Sequence, residues 1–207
     1  MIDRFLVVPM NYKNHREELK NALYRLEGDG DIALVLYELK FDPGSGLESK
    51  MADEQSLEGL DADLETVWED SIRNSAVIAP PRIHMNVYTL QKPDPTKGAF
   101  MDPACELKIG FNDIPVVTTS NFDNGAAAIF YPGVKEKLAE MTGKSYYVVF
   151  TNVREARIHV QGSMEPSRIQ EMLLDSNART DRDSVLSGKV YLYDAVTGSF
   201  TSAEYNT

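Results

Sequence analysis

The spacing of apolar and polar residues predicts the secondary structure of most of the chain. Apolar residues recur at helical spacing over residues 13–27 and 61–75, from Pro132 to Gly143, and from Pro166 onward. Asp61 is the predicted N-cap of the second of these four helices. Short apolar runs bounded by turn residues predict about eight strands, among them 2–8, 32–41, 82–90, 114–119, 126–131, 146–151 and 156–161.

Several predicted strands follow one another directly, which favours antiparallel hairpins. Asp123-Asn124-Gly125 predicts a turn between the strands at 114–119 and 126–131, because Asn and Gly tolerate positive φ angles. The segments 146–151 and 156–161 form another predicted strand pair. The pattern therefore indicates an α+β fold, with mainly antiparallel sheet of about eight strands packed with about four helices.

Residues 91–105 hold Pro93, Pro95 and Pro103 and are the best candidate for a boundary within the chain. We expect an N-terminal α+β lobe over residues 1–92 and a C-terminal α+β lobe over residues 106–207. One compact domain is the alternative, and the 207-residue length fits either arrangement.

The negative charge is concentrated in one segment. The chain carries a formal charge of −11, and residues 42–70 contain ten acids against the single base Lys50. Within this segment, Pro43-Gly44-Ser45-Gly46 predicts a mobile acidic loop over residues 42–59. No basic stripe occurs elsewhere, so we expect no direct binding to nucleic acid.

The cysteine content and the apolar runs predict the compartment. Cys105 is the only cysteine, so no internal disulfide can form and a reducing compartment fits. The apolar run at 5–9 is too short for a signal-peptide core, and no run approaches the length of a membrane helix. We expect a soluble cytoplasmic protein without a membrane partner.

Motifs of known chemistry are incomplete. Gly143-Lys144-Ser145 resembles the end of a phosphate-binding loop, but Leu138 replaces the required glycine and a helix precedes Gly143 rather than following it. A helix-ending glycine fits this position better. His15, His84 and His159 are far apart in sequence and match no metal-binding spacing. The sequence therefore predicts no catalytic residue, no cofactor and no metal ligand.

Six segments nevertheless form a recognisable set. They are MNYKN at 10–14, DIALVLY at 31–37, LETVW at 64–68, NGAAAIFYPGV at 124–134, VLS at 185–187 and VYLYD at 190–194. In this order they resemble an uncharacterised bacterial family, a domain of unknown function found mostly in anaerobic Gram-positive bacteria. The resemblance covers roughly residues 10–195 and implies a shared α+β fold, with no assigned activity.

One turn departs from the family pattern. After the strand at 146–149 the family tends to carry a Pro-Ser-Ser-x-His-Glu-like turn, whereas this chain has Phe150-Thr151-Asn152-Val153-Arg154-Glu155. Only Glu155 and the hydroxyl of Thr151 match. The resemblance implies that any chemistry of this turn is lost or altered here.

The absence of a reactive motif favours a non-enzymatic interaction or regulatory protein. In this hypothesis the acidic segment docks on a basic protein partner, although a merely solvated acidic loop explains the same charge. The residues expected to make the contact are the acids of the segment: Asp53, Glu54, Glu58, Asp61 and Asp63.

The alternative is a small-ligand-binding module or an enzyme with a site near the turns at 124–131 and 151–155. Its expected polar lining is Asn124, Tyr131, Thr151, Asn152, Arg154 and Glu155. In this hypothesis Arg154 holds an anion, and Glu155 acts as a base if burial raises its pKa. A subunit that assembles with itself remains a third possibility.

Overall fold

The structure, a computed structural model, describes residues 4–42, 44, 46–85 and 97–203. Ten strands in this part of the chain form two antiparallel sheets, which confirms the α+β class. The first sheet contains β1 (Phe5–Asn11), β2 (Tyr24–Glu27), β3 (Ile32–Asp42) and β4 (Gly46–Met51). The long strand β3 lies at its centre, with β1 on one side and both β2 and β4 on the other.

The second sheet has six strands in the order β10-β9-β7-β8-β6-β5. These are β5 (Pro81–His84), β6 (Val116–Thr119), β7 (Tyr146–Asn152), β8 (Glu155–Val160), β9 (Val190–Tyr193) and β10 (Phe200–Ser202). One face is apolar and belongs to the central core, which also contains Phe5 and Leu34 of the first sheet. The opposite face carries the polar side chains of β8, and this asymmetry positions the candidate site.

Three α-helices cover the sheets in the described part of the chain: α1 (Leu64–Ile78), α2 (Val134–Thr142) and α3 (Pro166–Asn177). The helix α1 closes the free edge of β1, because the Val7 amide donates to Ser75 Oγ over 2.9 Å. The helix α3 buries Ile169 and Leu173 against Tyr147, Val149 and Val190 on the outer face of the second sheet. All three confirm predicted helices.

The ends of two helices follow local sequence signals. Asp63, not the predicted Asp61, is the N-cap of α1, and its carboxylate accepts from the Thr66 amide over 2.8 Å. Gly143 ends α2 in the left-handed conformation, with φ of 71°. The helix-ending role of this glycine is therefore confirmed.

The helix predicted over residues 13–27 is wrong. A single 3-10 turn, Glu18–Asn21, is followed by the strand β2, which pairs with β3. That turn is enough to bury Leu19 in a small second core against Ala33 and Val35. The open side of β3 needs hydrogen-bond partners, and residues 24–27 provide them, so pairing outweighs the local helical spacing.

Part of the acidic segment 42–59, predicted as a loop, is a strand, which corrects the prediction. Residues 46–51 form β4, antiparallel to β3, and a 3-10 turn follows at Glu54–Leu57. Exposed Glu48 and Lys50 lie on this edge strand, where charged side chains discourage association with other strands. Pro43 and Ser45 of the predicted loop lie outside the described residues.

The strand predicted at 126–131 is also wrong, although Asn124 does adopt the left-handed turn conformation, with φ of 49°. The chain continues as a buried 3-10 helix, Gly125–Phe130. A side chain on Gly125 would overlap the Arg154 carbonyl and Thr118 Oγ1, so glycine is required for this close approach. Small alanines then let the 3-10 turns pack into the core.

The two predicted lobes remain a prediction. The strand β5, from the first predicted lobe, pairs in the second sheet, and Asn11 Nδ2 donates to the Leu186 carbonyl over 2.9 Å. Residues 86–90 of the predicted strand 82–90, and residues 91–96 of the candidate boundary, lie outside the described part of the chain, as do residues 1–3. Among the helices that the structure describes, none is long and apolar enough to cross a bilayer.

Candidate functional site

The polar face of β8 is the basis of the candidate site. Along this strand Ala156, Ile158 and Val160 enter the central core. Glu155, Arg157 and His159 occupy the alternate positions, so their side chains lie on the outer face of the sheet. In the neighbouring strand, Tyr147 lies opposite His159 and Val149 lies opposite Arg157.

A bulge at the end of β7 brings Thr151 into the same group. The strand register shifts between Phe150 and Asn152, which leaves Thr151 as the extra residue. Its hydroxyl donates to Glu155 Oε1 over 2.7 Å. The same carboxylate oxygen lies 3.5 Å from Arg157 Nη2, so Glu155 connects the hydroxyl with the guanidinium group.

These side chains border a cavity of about 80 Å³ between the second sheet and α3. Its polar boundary is formed by Thr151, Arg157, His159 and Ser176. The helix contributes apolar wall from Ile169, Met172 and Leu173. The cavity therefore has a charged end on β8 and a hydrocarbon side on α3.

The polar groups of the cavity are incompletely paired. His159 is only 4% exposed, yet its Nδ1 atom has no hydrogen-bond partner among the described residues. The Nε atom of Arg157 is likewise buried without a partner in this part of the chain. Buried polar atoms in folded proteins are nearly always paired, so these two atoms at one cavity are candidates for pairing with a bound molecule.

Burial also determines the charge of the histidine. Loss of solvent, with a smaller contribution from the positive charge of Arg157, lowers the pKa of His159 to about 4. The imidazole is therefore neutral near pH 7. The cavity thus presents a guanidinium group and a neutral imidazole, which together can bind an oxygen atom of a ligand.

The sequence-predicted ligand residues separate into three places. Thr151 lines the β8 cavity, and Glu155 lies beside it through their hydrogen bond. Asn152 and Arg154 form the β7–β8 turn, where Asn152 Oδ1 accepts from the Arg154 amide over 2.7 Å and the Arg154 side chain is exposed.

Asn124 and Tyr131 lie in a separate groove of about 70 Å³ beside β1 and α1, with Ser75 and Ile78 in its wall. Burial raises the pKa of the Tyr131 hydroxyl, which keeps it protonated. The groove shares none of its lining residues with the β8 cavity.

The ligand site predicted from the sequence did not include Arg157 and His159. The signal was present, because Glu155, Arg157 and His159 alternate with apolar residues on a strand that was itself predicted. Three polar residues on one strand face predict an exposed or liganded surface. What the sequence does not contain is the position of α3, which turns that face into a cavity.

The five acids of the proposed docking segment have different roles in the structure. Asp53 caps the 3-10 turn, and hydrogen bonds from Ser56 lower the pKa of its carboxyl group. Asp63 caps α1, and hydrogen bonds from Thr66 lower the pKa of its carboxyl group. Glu54, Glu58 and Asp61 are exposed. Two of the five therefore stabilise local structure, and the other three are exposed without a capping role; Asp63 is exposed as well.

A second polar cluster joins the two sheets and is fully paired. The buried Ser187 hydroxyl lies 2.8 Å from Asp31 Oδ2 and 2.7 Å from the Tyr191 hydroxyl, and accepts from the Lys189 amide over 3.0 Å. Lys189 Nζ lies 3.1 Å from Asp31 Oδ1. The complete pairing indicates a structural connection, in contrast to the β8 cavity.

The described residues contain no group of three or more His, Cys, Asp or Glu side chains that could hold a metal ion. The β8 cavity itself offers hydrogen-bonding side chains, the Arg157 guanidinium group and an apolar wall.

Comparison with known protein families assigns the chain to a family. The model of a family of unknown function, DUF5688, matches residues 2–195, so the chain belongs to this family. No curated protein and no solved structure matches it. The predicted resemblance to an uncharacterised family is confirmed.

The segments that carried the resemblance meet in the structure. Asp31 of the second segment contacts Ser187 and Tyr191 of the last two, and Gly125 of the fourth packs against the β7–β8 turn. These positions build the fold. Thr151 and Glu155, the two positions predicted to match the family turn, are hydrogen-bonded to each other, and Thr151 lines the cavity.

Proposed function

We propose that the protein is a binding module for a small molecule that occupies the cavity between β8 and α3. The observation that carries the proposal is the pair of buried, unpaired atoms, His159 Nδ1 and Arg157 Nε, beside that cavity. Both residues line the cavity, so a ligand oxygen atom between the strand and the helix would lie next to these unpaired side chains.

The energetic argument is that unpaired buried groups are costly. Each buried donor or acceptor without a partner costs about 1–3 kcal/mol of stability. The Asp31–Ser187–Tyr191 cluster avoids this cost by pairing internally. A ligand that pairs Arg157 and His159 recovers part of the cost as binding free energy, which supports a binding role for this cavity.

The turn beside the cavity adds a second line of support. Thr151 and Glu155 are the two positions predicted to match the family turn, and their side chains hydrogen-bond to each other beside the cavity. The carboxylate in turn lies beside the Arg157 guanidinium. A role for this turn in orienting Arg157 is consistent with the ligand-binding proposal.

The test is a thermal-shift screen of the wild type with metal salts, nucleotides, sugar phosphates and small organic acids. Two variants of α3 supply the specificity control. Ser176→Leu places a larger side chain in the cavity, whereas Ser167→Leu makes the same change at an exposed position of the same helix.

We expect at least one class of compound to raise the melting temperature of the wild type and of Ser167→Leu by several degrees. Ser176→Leu should show no such shift. A screen in which no class stabilises the wild type, or in which Ser176→Leu responds equally, contradicts the proposal.

An interaction role for the acidic segment is a second proposal. Its support is the exposure of Glu54, Glu58 and Asp61 on consecutive turns between β4 and α1. Replacing these three residues by Gln, Gln and Asn should abolish a salt-dependent complex with a basic protein, because the structural caps Asp53 and Asp63 are left intact. A complex that the triple variant retains contradicts docking. A cytoplasmic location forms part of both proposals.

A further inference from the structure

We infer that the ligand of the β8 cavity is a small organic acid with a single carboxylate and a short hydrocarbon tail. The carboxylate would lie against Arg157 and His159, and the tail against α3. The inference rests on the proposed function and specifies the chemical class that the cavity accepts.

The donors at the charged end match a carboxylate. Arg157 lines the cavity and its side chain is 38% exposed, while its Nε atom is buried without a partner among the described residues. Guanidinium groups bind carboxylates through paired, charge-assisted hydrogen bonds. His159 Nδ1 can donate a further bond to the same group, since a neutral imidazole carries one N–H.

The charge balance favours one negative charge rather than two. Glu155 lies 3.5 Å from Arg157 Nη2 and already offsets part of the positive charge. His159 adds none, because it is neutral near pH 7. A phosphate dianion would place excess negative charge beside Glu155, and a cationic ligand would be repelled by the positive charge of Arg157. A monocarboxylate avoids both conflicts.

The cavity size sets the length of the ligand. A bound water needs about 15 Å³ of cavity volume. The cavity of about 80 Å³ therefore holds a molecule of about five or six non-hydrogen atoms. Ile169, Met172 and Leu173 supply the apolar wall for its carbon atoms. Propionate and butyrate have this size, whereas hexanoate exceeds it.

The test is calorimetric titration of the wild type with acetate, propionate, butyrate and hexanoate at constant ionic strength. Butyramide, which matches butyrate in shape but lacks its charge, and inorganic phosphate are titrated in parallel. We expect butyrate or propionate to bind best, with butyramide, phosphate and hexanoate each weaker by about tenfold or more.

Two arginine variants locate the binding. Arg157→Lys keeps the charge but removes the paired donors, so it should weaken butyrate binding by about tenfold. Arg168→Lys changes an exposed arginine of α3 and should leave binding unchanged. If Arg157→Lys does not fold, the wild-type comparison of butyrate with butyramide still decides the charge requirement.

Equal binding of butyramide or phosphate, or binding that Arg157→Lys leaves intact, overturns the inference. The inference is also overturned if no carboxylate binds and a different class of compound binds to the wild type but not to Ser176→Leu. In that case the proposed binding function stands and only the carboxylate assignment fails. Absence of binding by every compound overturns both.

Discussion

The Thr151 hydroxyl donates to Glu155 Oε1 over 2.7 Å across the β7–β8 turn. The bulge that makes this contact possible leaves Thr151 buried, and the contact fixes the carboxylate that lies beside Arg157. The turn thereby connects the end of the strand pair with the charged end of the cavity.

Removing the hydroxyl should weaken the turn. We expect Thr151→Val to lower the free energy of unfolding by about 1–2 kcal/mol, since the carboxylate loses its closest donor at a buried position. Thr151→Ser keeps the hydroxyl and should cost clearly less. Urea denaturation of both variants measures the difference, and a loss in Thr151→Ser as large as that in Thr151→Val would contradict a dominant contribution from the hydrogen bond.

His159 should make stability depend on pH. Its folded-state pKa of about 4 lies below the usual value of 6.5, so the unfolded chain binds its proton first as the pH falls. Above pH 6.5 the histidine is neutral in both the folded and the unfolded state, so it does not affect stability. As the pH falls from 6.5 to 4, proton binding to the unfolded chain destabilises the native state progressively. The loss over this window is roughly 3 kcal/mol.

His159→Gln should remove that part of the pH dependence. Urea denaturation between pH 6.5 and 4.5 measures it, with His84→Gln as the comparison, because burial and Arg82 also lower the pKa of His84. An identical pH slope in the wild type and in His159→Gln would contradict the burial-induced shift.

The Asp31–Ser187–Tyr191 cluster should contribute to stability as a unit. The hydroxyl groups of Ser187 and Tyr191 lie 2.7 Å apart. Ser187→Ala removes one of these two hydroxyl groups, and Tyr191→Phe removes the other. We expect each to cost about 1–3 kcal/mol, and the double variant to cost less than the sum. A double-mutant cycle by denaturation provides the coupling energy; additive losses would mean that the hydroxyl groups act independently.

Gly125 should be among the least tolerant positions of the chain. Gly125→Ala places a methyl group against the Arg154 carbonyl and Thr118 Oγ1, and we expect a loss of about 3 kcal/mol or failure to fold. Gly188→Ala is the matched control, because its nearest neighbour is a flexible Leu174 methyl at 3.4 Å. Thermal melts that show equal effects would contradict the close approach.

The local sequence contained enough information for part of the fold. The alternation along 155–160 and the Pro166 helix start are local signals, and β8 and α3 follow them. The error at 13–27 has a nonlocal origin, because β3 determines whether residues 24–27 form a strand. The 3-10 helix after Asn124 likewise depends on how closely Gly125 can approach the β7–β8 turn.

The residues of the candidate site likewise divide into those that local sequence signals predict and those that depend on nonlocal packing. Thr151 and Glu155 belong to a turn that the sequence singles out, so they could be predicted. The importance of Arg157 and His159 depends on burial under α3, which no local pattern encodes. Asn124 and Tyr131, near in the predicted topology, lie in another groove because residues 125–130 form a 3-10 helix rather than a strand.

The most direct measurement of the central claim is nitrogen-15 NMR of the histidine rings during ligand titration. The His159 signals are assigned by their absence in His159→Gln, and the ring of His15, which is not part of the cavity, is the internal reference. We predict that butyrate shifts the His159 Nδ1 signal along a saturable single-site curve and leaves His15 unchanged. A His159 signal that no compound of the screen moves, or equal shifts of both rings, would contradict ligand binding at the cavity.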